Sequence, residues 1–397
     1  MQFKINFSHI LLLIITIFMT TLQAFAVDNI NLYIISDKKF VGDRSQLLGV
    51  ERESKKYFAA NHLNLSSEEF DISQIETIKT KIIKNNNLSL IISAGYYGIE
   101  AINTLKKDPK LAKKTLTVHL SHQLLDNGTL SHQNIDADII VLPSHVLEPN
   151  IKQQLTKNNR AIVATAGVPH NMQLADIEVD YKKFKEIFPP AKKYLGVILA
   201  GDVPENNGKY HCYSADEAVQ LAKYVSEFAK KENYTVLVTN GPRTGKFDCR
   251  KQQELNVHNK DNALDNVTAK FQEILEQNKV PFKLFNFQKG KPSNYKAMLG
   301  AVLYNKGSKI IVPGESTSMI SETIEMLPLG SVSIYFNSTM NDTHKKHVQS
   351  EFKNKRASII EGTKLLDSAN KSEQVPYPSA SKATASVIYD LYNKVQK

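Results

Sequence analysis

The chain has 397 residues, a formal charge of +10, and ordinary globular shares of hydrophobic (42%) and charged (23%) residues. That length suggests two domains, each able to bury its own core, and the composition excludes wholesale disorder. The positive charge is scattered, mostly on Lys, with no dense basic block or aromatic-interleaved stripe, so phosphate-bearing small molecules are the expected partners and nucleic acid is not.

Lys4 precedes an apolar run from Ile10 to Met19 and then Ala24-Phe25-Ala26, an A-x-A-like cleavage site. This is the anatomy of a secretory signal over residues 1–26. The expectation is an exported chain, periplasmic or secreted, beginning near Val27. The alternative is an uncleaved N-terminal segment anchoring it to a membrane.

Ile30–Ser36 reads as a strand, Asp37–Arg44 as a loop and Ser45–Ala60 as a helix. A helix near Ile75–Lys84, the strand Leu88–Ser93, the turn Ala94–Gly98 and the helix Ile99–Lys106 follow. Thr115–Leu120, Asp138–Pro143 and Ala161–Thr165 are further strands. Val179–Lys193, with Pro189-Pro190, reads as a linker. The alternation restarts with the strand Tyr194–Leu199, a helix from Ser214 to Lys231, the strand Thr235–Thr239 and the loop Asn240–Gly245. A helix over 262–277, the strand Phe282–Phe285 and a helix over Ser293–Tyr304 lead to Ile310-Ile311-Val312, a strand ended by Pro313 and Gly314. Ser331–Tyr335 is a strand, and Ser379–Val395 an amphipathic tail helix.

Strands alternating with helices imply βαβ units and parallel sheets. The predicted fold is α/β, with two Rossmann-like doubly wound domains facing a cleft. The expected divisions are 27–185, 186–370, and a tail over 371–397 packing back on the first domain. Ligands in such sheets bind outside the carboxyl ends of the strands. The candidate loops are therefore Asp37–Arg44, Gly95–Gly98, His119–His122, Gly167–His170, Gly201–Gly208, Asn240–Gly245 and Gly314–Ser318.

Gly314 permits a sharp turn, and Ser316, Thr317 and Ser318 then open a helix whose free N–H groups attract phosphate. Glu322, further along that helix, could accept from ribose hydroxyls; the plain reading is a well-capped helix with a surface Glu. Arg243 could hold phosphate with its guanidinium fork, or be a solvated loop cation. Asp43 is a candidate general base on an acceptor hydroxyl, and equally an N-cap. His119, His122, His145 and His170 fall at strand ends, with His170 the best single candidate base. They lack a helical metal-ligand spacing, and no bound metal is expected. His344 and His347 do have i,i+3 spacing, but Asp342 and nearby lysines read as a solvated helix end. Cys212 and Cys249 could pair or remain two thiols. Asn64, Asn87 and Asn127 begin sequons.

Several loops carry a resemblance. Gly42-Asp43-Arg44-Ser45-Gln46-Leu47-Leu48-Gly49-Val50, Asp136 to His145, Thr165-Ala166-Gly167-Val168-Pro169-His170, Thr239-Asn240-Gly241-Pro242-Arg243-Thr244 and Gly314 to Glu322 resemble, in order, motifs of the family named for the plant mitochondrial fission factor of the elongated-mitochondria type. Gly241 stands where that family has a serine, Glu315 where it has an aspartate, and the Gly201 loop lacks its usual second glycine. The resemblance implies a GT-B fold and a metal-independent glycosyltransferase. A nucleoside diphosphate sugar would be held mainly by the second domain, at Arg243, Gly314, Ser316, Thr317, Ser318 and Glu322. Asp43 and His170 would lie across the cleft, facing an unknown acceptor that could be membrane-associated. It implies no separate cofactor. The alternatives are a sugar-nucleotide epimerase or hydrolase on the same scaffold, or a non-catalytic adaptor that recruits a protein partner.

Overall fold

The structure, a computed structural model, describes residues 29–37, 41–85, 87–122, 135–147, 152, 160–204, 209–255, 257, 263–367 and 377–396. The expected signal over 1–26, the Asn127 sequon and the end of the Gly201–Gly208 loop lie outside these residues.

The first sheet holds β1 (Asn29–Ser36), β2 (Asn64–Asp71), β3 (Ser89–Ala94), β4 (Thr115–Leu120), β5 (Ile139–Pro143) and β6 (Ala161–Thr165), in the order 2-1-3-4-5-6. All its neighbours are parallel. Helices α1 (Val41–Ala60), α2 (Ile75–Lys84), α3 (Gly95–Lys106) and the short α4 (Pro109–Ala112) cover it. The apolar run of β1 serves both faces, as a buried parallel strand requires. Ile30, Leu32 and Ile34 enter a core with Leu47, Val50 and Phe58 of α1, whereas Tyr33 and Ile35 meet Ile78 and Ile82 of α2.

The sequence reading has no counterpart for β2. It is mostly polar, with only Leu65 and Phe70 buried, because it is an edge strand solvated on its outer side. It nevertheless pairs with β1 along its whole length.

After β6, helix α5 (Leu174–Phe184) carries the chain into the second domain. Although it precedes the expected division at 185, α5 packs on the second domain, against the helix Tyr295–Tyr304. Met172, Ile177 and Phe188 join that domain's core, and Asp176 pairs with Lys296 at 3.1 Å.

The second sheet begins with β7 (Tyr194–Ile198), followed by a ribbon of β8 (Val203–Pro204) and β9 (Tyr210–His211), and then by α6 (Ala215–Glu232) and β10 (Thr235–Thr239). A second ribbon, β11 (Phe247–Asp248) with β12 (Gln253–Glu254), precedes α7 (Asn266–Gln277), β13 (Phe282–Phe285), α8 (Tyr295–Tyr304), β14 (Lys309–Pro313), α9 (Thr317–Met326) and β15 (Val332–Tyr335). Then come α10 (Asp342–Lys353), β16 (Ser358–Glu361) and β17 (Lys364–Leu366).

The strand order is β13-β10-β7-β14-β15-β16-β17, with only the last pair antiparallel. The chain therefore winds out from β7 in both directions, the Rossmann arrangement. Finally α11 (Ala380–Gln396) lies on the first domain, where Tyr389 and Tyr392 set their rings edge-on to Phe58, 5.3 Å away in each case. Among the described residues no helix is long and apolar enough to cross a membrane.

Candidate functional site

Each sheet has one place where neighbouring strands send their connections to opposite faces, and ligands of open α/β sheets collect there. In the first sheet this lies between β1 and β3, in the second between β7 and β14.

At the second switch point, Glu315 ties three strand ends together. Its Oε1 accepts from the Gly201 N–H at 2.9 Å and its Oε2 from Asn337 Nδ2 at 2.7 Å. Burial raises its pKa against those two bonds and the Arg243 charge. Asp202, fully buried, accepts from the N–H groups of Tyr213 and Phe247, each at 2.9 Å. Burial also raises its pKa, outweighing those backbone bonds.

Asp202 in turn donates its own N–H to the Arg243 carbonyl at 2.9 Å, fixing the Arg243 loop. Asn240 anchors the same loop through Asp265, Thr268 and Asn286. Gly245 sits at φ +57°, and a Cβ there would meet Asp265 at 2.6 Å. On this rigid base the Arg243 side chain is exposed, and no ion pair among the described residues engages it. The Cys212–Cys249 disulfide, with Cα atoms 5.9 Å apart, closes the rim, joining the loops that flank Asp202.

Gly314 is required by contact: a Cβ would meet Met340 Sδ at 2.5 Å. Ser316 occupies the N-cap of α9, but its hydroxyl makes no capping bond, and the first turn holds no acidic residue. The N-cap side chain thus leaves the first N–H groups of the helix to other partners. Thr317 is buried, while Ser318 is half-buried and looks across the cleft, its Oγ 3.8 Å from where Gly42 would carry a Cβ. Gly314, Ser316, Thr317, Ser318 and Arg243 therefore share one strand-end surface. Glu322 does not join it openly. It is 9% exposed, and burial raises its pKa against the pull of His170, Tyr295 and Lys296.

At the first switch point, Asp43 lies in the first turn of α1 rather than at its cap. Gly95, at φ +70°, is pressed against it: a Cβ there would collide with Asp43 Oδ2. His122 Nδ1 stands 3.8 Å from Asp43 Oδ1. Burial raises the Asp43 pKa, Asp37 adding to the rise and His122 opposing it. Burial lowers that of His122, although its side chain stays 35% open to solvent. A carboxylate with a raised pKa beside a neutral imidazole can take a proton from a hydroxyl.

The other histidines serve the frame. His119 is buried, its Nδ1 3.0 Å from Ser93 Oγ. His170, 1% exposed, receives the Met172 N–H on Nδ1 at 3.3 Å. Its Nε2 lies 3.0 Å from Glu325 Oε2, off the line of a good hydrogen bond. Its N–H and carbonyl both meet Ser381 Oγ, so His170 clips α9 and α11 to the first domain, and its ring has no free nitrogen facing solvent. The expected best candidate for the base is thus a clasp, and His122 takes the open position.

His344 and His347 are buried, not solvated. His347 stacks on His145 of the first domain at 4.5 Å and approaches Glu351 at 3.3 Å. His145 has its pKa lowered to about 2 and His344 to about 4, in both cases mainly by burial.

Sequence reasoning passed over Asn337 and Asp202, and assigned Glu315 no role beyond its place in the motif. The end of β15 is a strand end like the others and could have been included on that ground. Among the described residues no group of three or more His, Cys, Asp or Glu is arranged to hold a metal ion.

No curated protein sequence matches the chain. Solved structures similar to it include the UDP-GlcNAc 2-epimerase of Methanocaldococcus jannaschii in complex with UDP-GlcNAc and UDP (10% identity, 92% of this chain and 99% of that one, TM-score 0.47). The E. coli trehalose-6-phosphate protein bound with UDP-2-fluoro glucose is also similar (8% identity, 92% and 96%, TM-score 0.43). So is an α/β-galactoside α-2,3-sialyltransferase from Photobacterium phosphoreum (11% identity, 84% and 98%, TM-score 0.42). At TM-scores below 0.5 these likenesses add nothing to the topology already described. The loops that form both halves of the cleft, from α1 to α9, fall within residues 41–327, which match the model of the mitochondrial fission ELM1 family, and the chain belongs to that family.

Proposed function

We propose that the protein transfers a sugar from a nucleoside diphosphate sugar to an acceptor held by the first domain, without a bound metal. The observation that carries this is the exposed Arg243, set on an anchored loop beside the N-terminus of α9, whose N-cap side chain makes no capping bond. A cation and a helix dipole converging at a switch point suit a diphosphate and would stabilise the charge of the leaving group. On this reading Asp43, with His122 beside it, is the base that removes the acceptor hydroxyl proton, and the freed oxygen attacks the anomeric carbon as its bond to the diphosphate breaks.

The reading includes export of the chain, supported by the Cys212–Cys249 disulfide, since such bridges persist in oxidising compartments. Calorimetric titration with UDP, GDP and their sugars tests the function. Binding that Arg243→Ala weakens supports the reading. No binding by the wild-type protein would sink it and leave the non-catalytic adaptor.

A further inference from the structure

We propose that Tyr96 is the stacking platform of an acceptor subsite, and that the acceptor is a saccharide; this rests on the transferase reading. Tyr96 follows Gly95, the residue pressed against the Asp43 carboxylate, and so places an aromatic ring at the rim of the first switch point. It is 62% exposed, although large aromatic rings are usually covered. Tyr97 sets its ring edge-on to it, 5.4 Å between centroids, which limits the orientations Tyr96 can take. An exposed, braced ring next to a carboxylate has the two parts that sugar recognition uses: a flat apolar face for the C–H side of a pyranose, and an acceptor for its hydroxyls.

The surroundings supply partners for hydroxyl groups. Asp37 acts on Asp43 electrostatically, and Glu100, one helical turn after Tyr96, is exposed on the same face. The nearby Arg44 is committed to Glu69, its Nε and Nη2 donating at 2.7 and 2.8 Å. Among the described residues Asp43 and Glu100 are thus the carboxylates placed to accept from a polyhydroxylated ring.

Saturation-transfer NMR on the full chain, with cellobiose and N,N′-diacetylchitobiose as probes, tests this, alongside separate titrations with UDP and GDP. The expected result is saturation of the ring C–H protons of at least one disaccharide. Tyr96→Ala should weaken that binding about five-fold, the range of one aromatic contact. Tyr96→Phe should retain it, and both variants should bind nucleotide as the wild type does. Saturation of neither disaccharide, or equal binding by Tyr96→Ala, overturns the proposal. If nucleotides bind and no disaccharide does, only the subsite falls. If Tyr96-dependent disaccharide binding persists without nucleotide binding, the transferase reading falls and the saccharide site stands.

Discussion

Arg243 and Glu315 sit beside the same switch point and do opposite work. Arg243 is exposed and makes no ion pair among the described residues, so its removal costs little stability. Arg243→Ala should weaken UDP or GDP binding about 10- to 100-fold in calorimetry, the worth of a charged hydrogen bond, and leave the melting temperature unchanged. Glu315 is 5% exposed and satisfies two donors from different strand ends. Glu315→Ala leaves the buried Gly201 N–H without a partner and takes one from the half-buried Asn337, so urea unfolding should show a loss of roughly 1–3 kcal/mol. Gly95→Ala combines the two effects, because a methyl group at φ +70° would displace the Asp43 carboxylate. Its expected signature is a fall in transfer rate with donor affinity retained.

Elements with strong periodic or β-branched runs were legible in the sequence: β1, β3, β14 and their helices follow from apolar patterning alone. β2 was not, because an edge strand needs only two buried side chains and its polar residues read as a loop. The strand-end loops pointed to the right surface, yet the direction of individual side chains did not follow. Glu322 and Ser318 share one face of α9 and both meet the first domain, Ser318 near Gly42 and Glu322 near His170, but the sequence does not say that the partner domain buries Glu322 and leaves Ser318 half-open. His347 read as solvated from its charged neighbours, whereas its stacking partner, His145, comes from a distant strand end. The sequence left the Cys212–Cys249 pairing open, because a separation of 37 residues does not fix a distance. Closing that loop restricts the unfolded chain, so Cys212→Ser with Cys249→Ser should cost about 3–4 kcal/mol in denaturant unfolding.

For the whole molecule, the domains meet through imidazoles. His145 faces His347, His344, His122 and Lys346, and each raises the cost of charging it. The folded state therefore refuses protons that the unfolded chain accepts below pH 6.5, down to about 4 for His344 and about 2 for His145. In that window the unfolded state binds more protons, so stability falls as pH falls. Buried Glu315, Glu322 and Asp202 act in the opposite sense, because their raised pKa values let the folded state take protons earlier. His145→Gln should flatten the slope of unfolding free energy between pH 6 and 5 by about 1.4 kcal/mol per pH unit, the worth of one proton. An unchanged slope in denaturant titrations at both pH values would contradict this.

The return of α11 to the first domain has a consequence for biogenesis. Phe58 near the start of the chain is covered by Tyr389 and Tyr392 near its end, and Ile388 lies in the same core. A ribosome releasing residues in order exposes the first sheet long before the helix that seals it exists, whereas the strands of the second domain and the helices that cover them come off in one continuous span. The second domain can thus mature first, and the first stays open-sided until α11 has been made.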